Sequence, residues 1–102
     1  MSVLITRLLT GEEVLGEVVD VADVDVIRIK NPTLIAATPN PKSGNVDIHM
    51  APFVPLSENK VVDLRASLVL LQYQPVTEVV NKYNSMFGSG IIIPTSSGIQ
   101  SI

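Results

Sequence analysis

The sequence has no cysteine and no tryptophan, one histidine and few aromatic residues, which make up 4% of the chain. Without cysteine, disulfides, thiol nucleophiles and cysteine-based metal sites are excluded. A single histidine also excludes a zinc motif that needs two. Because aromatics are scarce, the core must be built from Val, Leu and Ile, and the β-branched members of this group favour strands.

The sequence also lacks the long apolar runs of targeting and membrane segments. No basic segment followed by a long apolar run comes after Met1, so no signal peptide is expected. The apolar runs fall far short of the ~18 residues that a membrane span needs. We therefore expect a soluble cytoplasmic protein without a membrane partner. The net charge of −3 provides no general attraction to nucleic acid.

The length of 102 residues and the apolar content of 46% indicate one folded domain. Alternating and two-sided apolar patterns, separated by turn-forming segments, predict five strands. These lie at residues 3–9, 13–21, 24–37, from 46 into the segment APFVPL, and 61–73. Pro32 interrupts the third strand, and proline lacks a ladder donor, so we expect it at an edge or a bulge.

The spacing of apolar residues becomes helical after Pro75. A helix is predicted over residues 76–86 by the apolar positions Val76, Val79, Val80, Tyr83 and Phe87. The predicted organisation is a β domain over 1–74, a helix within 75–88 and a tail over 89–102. The expected fold class is mainly β, as a small, five-stranded, strongly bent antiparallel barrel with a short C-terminal helix.

The first hairpin carries Gly11, Val14, Gly16 and Val18 in an apolar context, followed by Asp20. This order resembles the first motif of the Sm-like (LSm/Hfq-type) family. The resemblance is to a divergent member of that family, such as a phage-type one. The resemblance implies an Sm-like barrel in which Gly11 turns the hairpin and Gly16 lets a bent strand pass close to its neighbour. It covers residues 3–29 well, is loose up to 73 and ends before the helix.

The RNA pocket of this family uses an Asp and an Asn near the close of the first motif, and an Arg-Gly pair in the second. Counted from Gly16, the Asn position holds Val26, and no Arg-Gly pair exists. The resemblance therefore implies an altered uridine pocket. The candidate RNA-binding residues are Asp23, Asp25, His49 and Arg65.

Each of these residues also has a simpler interpretation. The cluster of Asp20, Asp23 and Asp25 contains enough oxygens for a divalent cation, but it lacks the spacing of a calcium loop. We therefore prefer to interpret these residues as aspartates that form hydrogen bonds in a turn. His49 is interpreted as an exposed strand histidine. The basic residues are interpreted as solvated charges, because a single-strand groove needs aromatic platforms. We expect no catalytic residue, no metal and no cofactor.

The segment Leu68, Val69, Leu70 and Leu71 is apolar on both faces, so we expect it to be buried on both and assign it to an oligomer interface. The resemblance implies a closed homo-oligomeric ring of about five to seven subunits, in which the fourth strand pairs with residues 67–73 of the next copy. The expected function is a non-enzymatic Sm-like ring, RNA-binding or RNA-chaperone-related, with single-stranded RNA as partner. The alternative is a structural or adaptor ring component, of phage assembly type, without RNA binding.

Overall fold

The computed structural model describes residues 2–87 as one antiparallel β-sheet with a short helix. Strands occupy 52% of the described residues, which confirms the mainly β class. The elements are β1 Ser2–Leu8, β2 Glu13–Val19, β3 Val26–Pro39, β4 Val46–Pro52, β5 Val61–Arg65, a 3₁₀ turn Ala66–Leu68, β6 Val69–Tyr73 and α1 Thr77–Phe87.

The strand order is β4-β3-β2-β1-β6, and β5 also pairs with β3. β2 occupies one side of β3 over residues 28–34. On the other side, β5 pairs with residues 26–30 and β4 pairs with residues 33–39. β4 and β5 are therefore two halves of one sheet edge, separated by the excursion 53–60. Within residues 2–87 the ladder does not close, because β6 pairs with β1 and not with β5.

The predicted elements are confirmed for the first four strands and the helix, with small shifts at their ends. The prediction of one continuous strand over 61–73 is wrong. The 3₁₀ turn Ala66–Leu68 breaks it, which raises the strand count from five to six. This turn is held by a hydrogen bond from the Leu9 amide to the Leu68 carbonyl, 2.8 Å long. The predicted tail over 89–102 lies outside the described residues.

The two apolar faces of β2 are buried in separate clusters. Val14 and Leu15 point to opposite faces, and both side chains have no solvent exposure. Val14 lies in an inner cluster with Leu8 and Ile29. Leu15 lies in an outer cluster with residues of α1. The second apolar face of β2 is thus covered by the helix of the same chain, which explains why a strand in a small sheet needs two apolar faces.

A bulge in β3 lies opposite Gly16. The register between β2 and β3 shifts by one residue between Leu15 and Glu17, and the extra residue falls in the Asn31-Pro32 segment. Asn31 has a φ of 51°, the left-handed conformation that asparagine tolerates better than most residues. A Cβ at position 16 would collide with the Ile29 side chain and approach the Lys30 carbonyl oxygen. The expected bulge at Pro32 and the close approach at Gly16 are therefore confirmed.

Tyr83 of α1 closes this bulge from the outer face. Its hydroxyl donates to the carbonyls of Lys30 and Asn31, at 2.8 and 3.1 Å. The Asn31 amide donates to the Lys60 carbonyl at 2.7 Å. Burial of the Tyr83 ring raises the pKa of its phenol to about 12. Backbone groups that the bulge leaves without partners on β2 are thus hydrogen-bonded by Tyr83 and Lys60. The Tyr83 bonds also fix the helix to the sheet at that point.

Replacement of Gly16 by valine should destabilise the protein more than replacement of Gly11 by alanine. A valine at 16 has no free space, so we expect a loss on the order of 3 kcal/mol in unfolding free energy, the upper end for an overpacked site. Gly11 has a φ of 95° but open space around it, so alanine there should cost only about 1 kcal/mol of backbone strain. Urea unfolding measures both, and equal losses would contradict the close approach.

Alkaline pH should destabilise the protein by ionising Tyr83. The pKa of this phenol is about 12 in the folded chain against the usual 10.0. The stabilisation that the protonated phenol gives to the folded chain is therefore complete below pH 10 and is lost as the pH rises towards 12. Tyr83→Phe should lose about 1–3 kcal/mol at neutral pH, because two carbonyls lose their donor. Urea unfolding between pH 8 and 12 should show a smaller alkaline decline in Tyr83→Phe. An identical decline in both proteins would contradict the assignment.

Candidate functional site

Three of the four predicted RNA-binding residues lie at one end of the sheet. Asp23 and Asp25 are in the turn between β2 and β3, where the Asp25 amide donates to the Asp23 carboxylate at 2.9 Å. Arg65 pairs with Val26 at the end of β5. The Ala66 amide donates to the Asp25 carbonyl at 2.8 Å. The turn and the end of β5 are therefore joined through their backbones.

His49 does not belong to this polar end. It lies on β4 opposite Ala36, and its Nε2 is 3.1 Å from the Thr38 hydroxyl. Ala36 and Val26, the β3 partners of His49 and Arg65, are ten positions apart along β3. The structure therefore does not unite the four predicted residues in one site.

The basic residues are also divided among separate places. Arg28 forms a bidentate ion pair with Asp63, at 2.8 and 3.0 Å. The hydrogen bond from Arg28 lowers the pKa of the Asp63 carboxyl below its usual value. Lys60 directs its ammonium to the Pro55 carbonyl, 3.4 Å away. Lys30 lines an open cavity of about 450 Å³ together with Arg28 and Asp63. Within residues 2–87 the cavity thus holds both charge signs rather than a purely basic groove.

The acidic residues do not assemble into a metal site in the part of the chain that the structure describes. Over residues 2–87, no group of three or more His, Asp or Glu side chains is close enough to hold a metal ion. Asp23 instead orders the turn, since its carbonyl also accepts from the Val26 amide at 3.2 Å. This geometry agrees with the interpretation of these residues as turn aspartates.

The apolar segment around β6 is exposed, so the expectation that it is buried on both faces is wrong for the single chain. Leu68 is 48% exposed and Leu70 59% exposed, and Leu71 is also exposed. Val69 is the exception, because it packs against the inner cluster. β6 is an edge strand, so its outer side has no partner among residues 2–87. An exposed apolar edge strand is a template for pairing with another chain.

A polar cluster beside this edge was not anticipated from the sequence. Glu13 accepts from the Arg7 guanidinium at 2.9 Å and from the Tyr73 hydroxyl at 2.8 Å. Behind it, the Gln72 amide donates to the fully buried Thr6 hydroxyl at 3.0 Å. These bonds join β6 to β1 and β2. Only the pairing register brings residues 60 or more positions apart together, so no local sequence signal identifies the cluster.

A cleft of about 500 Å³ lies between the first turn and the β3–β4 hairpin. Its lining residues include Glu12 and Glu13 on one side, and Ala36, Ala37, His49 and Ala51 on the other. The predicted strands already contained one signal for it, because the third strand, 24–37, was longer than the second, 13–21. In the structure β3 has fourteen residues and β2 has seven, so part of β3 extends beyond its neighbour.

Two further observations describe the chain as a whole. Among the helices of residues 2–87, none has the length and apolar character needed to cross a membrane. Comparison with protein-family models and with curated proteins finds no match to the chain.

Proposed function

We propose that this chain is a non-enzymatic, ring-forming protein of Sm-like type, and that its function is assembly with copies of itself. One observation carries the proposal. The strand path ends in β6 on one side and in β4 on the other, and β6 displays exposed Leu70 and Leu71 on its unpaired edge. Within residues 2–87 the chain thus has a strand edge at each end of its sheet, and the edge at β6 carries exposed leucines.

The barrel form of the sheet is supported by the inner cluster. Val69 of β6 and Val62 and Leu64 of β5 pack against the same buried residues, although their strands are not paired with each other. The two ends of the sheet therefore curl around one core. The bulge opposite Gly16 provides the bend that this curl needs.

Edge pairing between copies would satisfy backbone groups that are now open. An unpaired edge strand presents a row of N–H and C=O groups, and a second strand completes their hydrogen bonds. Exposed leucines add attraction at roughly 25 cal/mol per Å² of apolar surface removed from water. Because the two edges are different surfaces, the contact is head-to-tail, and a ring forms when the rotation between copies closes.

A structural or adaptor role suits this ring better than RNA binding. The end that carries Asp23 and Asp25 presents two carboxylates, which repel phosphate. RNA binding is a second candidate, supported by the position of Arg65 beside the Asp25 turn. That is where the resemblance places a pocket, although Ala66 replaces the glycine of the family's Arg-Gly pair.

The mass in solution tests the assembly. We expect the parent chain to form a closed oligomer of about five to seven copies. Leu70→Lys should dissociate or weaken it, because a charge would enter an apolar contact without a partner. Val24→Lys is the matched control. Val24 is 88% exposed and lies in the turn between β2 and β3, outside both edge strands, so this variant should keep the parent mass.

Light scattering coupled to size exclusion measures all three proteins at micromolar concentration. Circular dichroism should show that Leu70→Lys remains folded. A parent mass near 11.0 kDa, that of one chain, would overturn the proposed function. Equal dissociation of both lysine variants would show that β6 is not the contact.

The affinity for RNA separates the two candidate roles. We expect weak or no binding of oligo(U) in ~150 mM salt, where surface charges more than a Debye length apart are largely screened. The reasons are the net charge of −3, the carboxylates of Asp23 and Asp25 in the turn that meets the end of β5 and the remote position of His49. Fluorescence anisotropy measures the affinity, with oligo(A) as comparison. Submicromolar oligo(U) binding that Arg65→Ala weakens would instead establish the RNA role.

A further inference from the structure

The second half of β3 has one side without a strand partner among residues 2–87. β2 pairs with β3 as far as Leu34, which lies opposite Val14. From Ile35 to Pro39, β3 pairs only with β4, on its other side. The proposed ring uses β6 and the free edge of β4, so this side of β3 takes no part in it.

Ala37 offers a complete pair of backbone groups on this side. The Asn40 amide donates to the Asn45 carbonyl across the β3–β4 hairpin, at 2.8 Å. Hydrogen-bonded and non-hydrogen-bonded pairs alternate along a regular antiparallel ladder, so Ala36 and Thr38 also bond to β4. Ala37 therefore directs its N–H and its C=O away from β4. Another extended chain is the partner that returns one acceptor and one donor at this spacing.

The unpaired side of β3 is one wall of the cleft of about 500 Å³. Because Val14 pairs with Leu34, β2 begins at Glu13, level with Ile35, and the cleft continues the line of β2 along β3. Small side chains line it, those of Ala36, Ala37 and Ala51. The cleft thus has room for the side chains of a strand added in line with β2.

The end of the cleft next to β2 is acidic, because Glu12 and Glu13 line it. The Glu13 carboxylate already accepts from the Arg7 guanidinium and from the Tyr73 hydroxyl. The Glu12 carboxylate accepts only from the Thr10 hydroxyl, at 3.1 Å, and no cation of residues 2–87 pairs with it. The negative charge of Glu12 therefore remains available to a positive group in the cleft.

We propose that this cleft binds an extended segment of another protein, which adds to β3 at Ala37 and places a Lys or Arg side chain against Glu12. Backbone pairing with Ala37 supplies an attraction common to any extended sequence, and the carboxylate selects for positive charge. A strand rises about 3.4 Å per residue, so a residue opposite Ala37 lies ~7 Å along the strand from the level of Glu13. A basic side chain on that residue or its neighbour spans the distance.

Charge separates this occupant from the other chains that could enter the cleft. Residues 88–102 of the same chain contain no Lys or Arg. The strands at the two ends of the sheet path, β4 and β6, contain none either. A basic segment of a different protein is complementary to the cleft, and the net charge of −3 adds a long-range attraction.

Peptide binding to the full-length chain tests both the pairing and the charge. The probe is a dye-labelled peptide with blocked ends, Lys-Val-Thr-Val-Lys, and fluorescence anisotropy measures its affinity. We expect saturable binding below ~1 mM. Glu-Val-Thr-Val-Glu should bind roughly tenfold more weakly, because like charges would meet at Glu12. A lysine peptide whose central three nitrogens are methylated should lose binding, since it cannot donate to β3.

Each of these comparisons can overturn the proposal. No saturation by the lysine peptide up to ~1 mM would remove the site. Equal affinity of the lysine and glutamate peptides would remove the selection for charge. Equal affinity of the methylated peptide would remove the strand pairing. The mass in solution should be the same with and without peptide, so failure of the ring and failure of this site are separate results.

A charge reversal on the protein locates the contact. Glu12→Lys should weaken binding of the lysine peptide on the order of tenfold. Glu58→Lys is the matched control, because it changes the net charge equally and Glu58 is exposed in the excursion 53–60, outside the cleft lining. This variant should bind as the parent does. Equal weakening in both variants would show that only net charge matters and would overturn the site.

Amide exchange of Ala37 identifies the occupant. In the free protein this amide should exchange faster than those of Ala36 and Thr38, which bond to β4, and saturating lysine peptide should slow it roughly tenfold. No slowing would place the peptide elsewhere and overturn the proposal. Slow exchange of Ala37 in the free protein would overturn it too. It would assign the cleft to the same chain if dilution leaves the rate unchanged, and to a second copy if dilution restores fast exchange.

Discussion

The close approach of two backbones at Gly16 is the constraint on which the rest of the structure depends. Because residue 16 has no side chain, the bulged segment Asn31-Pro32 fits directly opposite it. The bulge bends β3, and the bend brings β5 and β6 against one inner core. It also exposes backbone carbonyls on the outer face, and Tyr83 binds them and fixes α1 there. The sheet's curvature and the helix position therefore have one origin.

The same bend separates two parts of the sheet that differ in how they are packed. Before the bulge, β3 lies between β2 and β5 and forms part of a packed core. After it, Thr33 and Leu34 still pair with β2, and from Ile35 onward β3 pairs only with β4, in a hairpin whose residues 36–39 are exposed. At the opposite end of the strand order lies β6, whose exposed leucines are open to a second copy in the proposed assembly.

Local patterns in the sequence predicted what depends on local physics. Period-two alternation located the strands, and the change to helical spacing located α1. The break at Ala66–Leu68 escaped prediction because the run from Val61 to Tyr73 is apolar on both sides of it. The site was harder still. The Asp25 turn meets the end of β5 only through the pairing of β3 with β5. Arg7 and Glu13 face each other across the first hairpin, but Tyr73 reaches them only through the pairing of β6 with β1. Such long-range register has no local signature.

Curvature also links the fold to the proposed assembly. If copies join through the two edges of one sheet, the angle between those edges in a single chain sets the rotation from copy to copy. That angle depends on the bend at Gly16 and Asn31-Pro32, which lies between β6 and the edge made by β4 and β5. A change in the bend would alter the rotation and hence the number of copies that closes a ring. Gly16 would then control ring size as well as stability, although it is buried within a single chain.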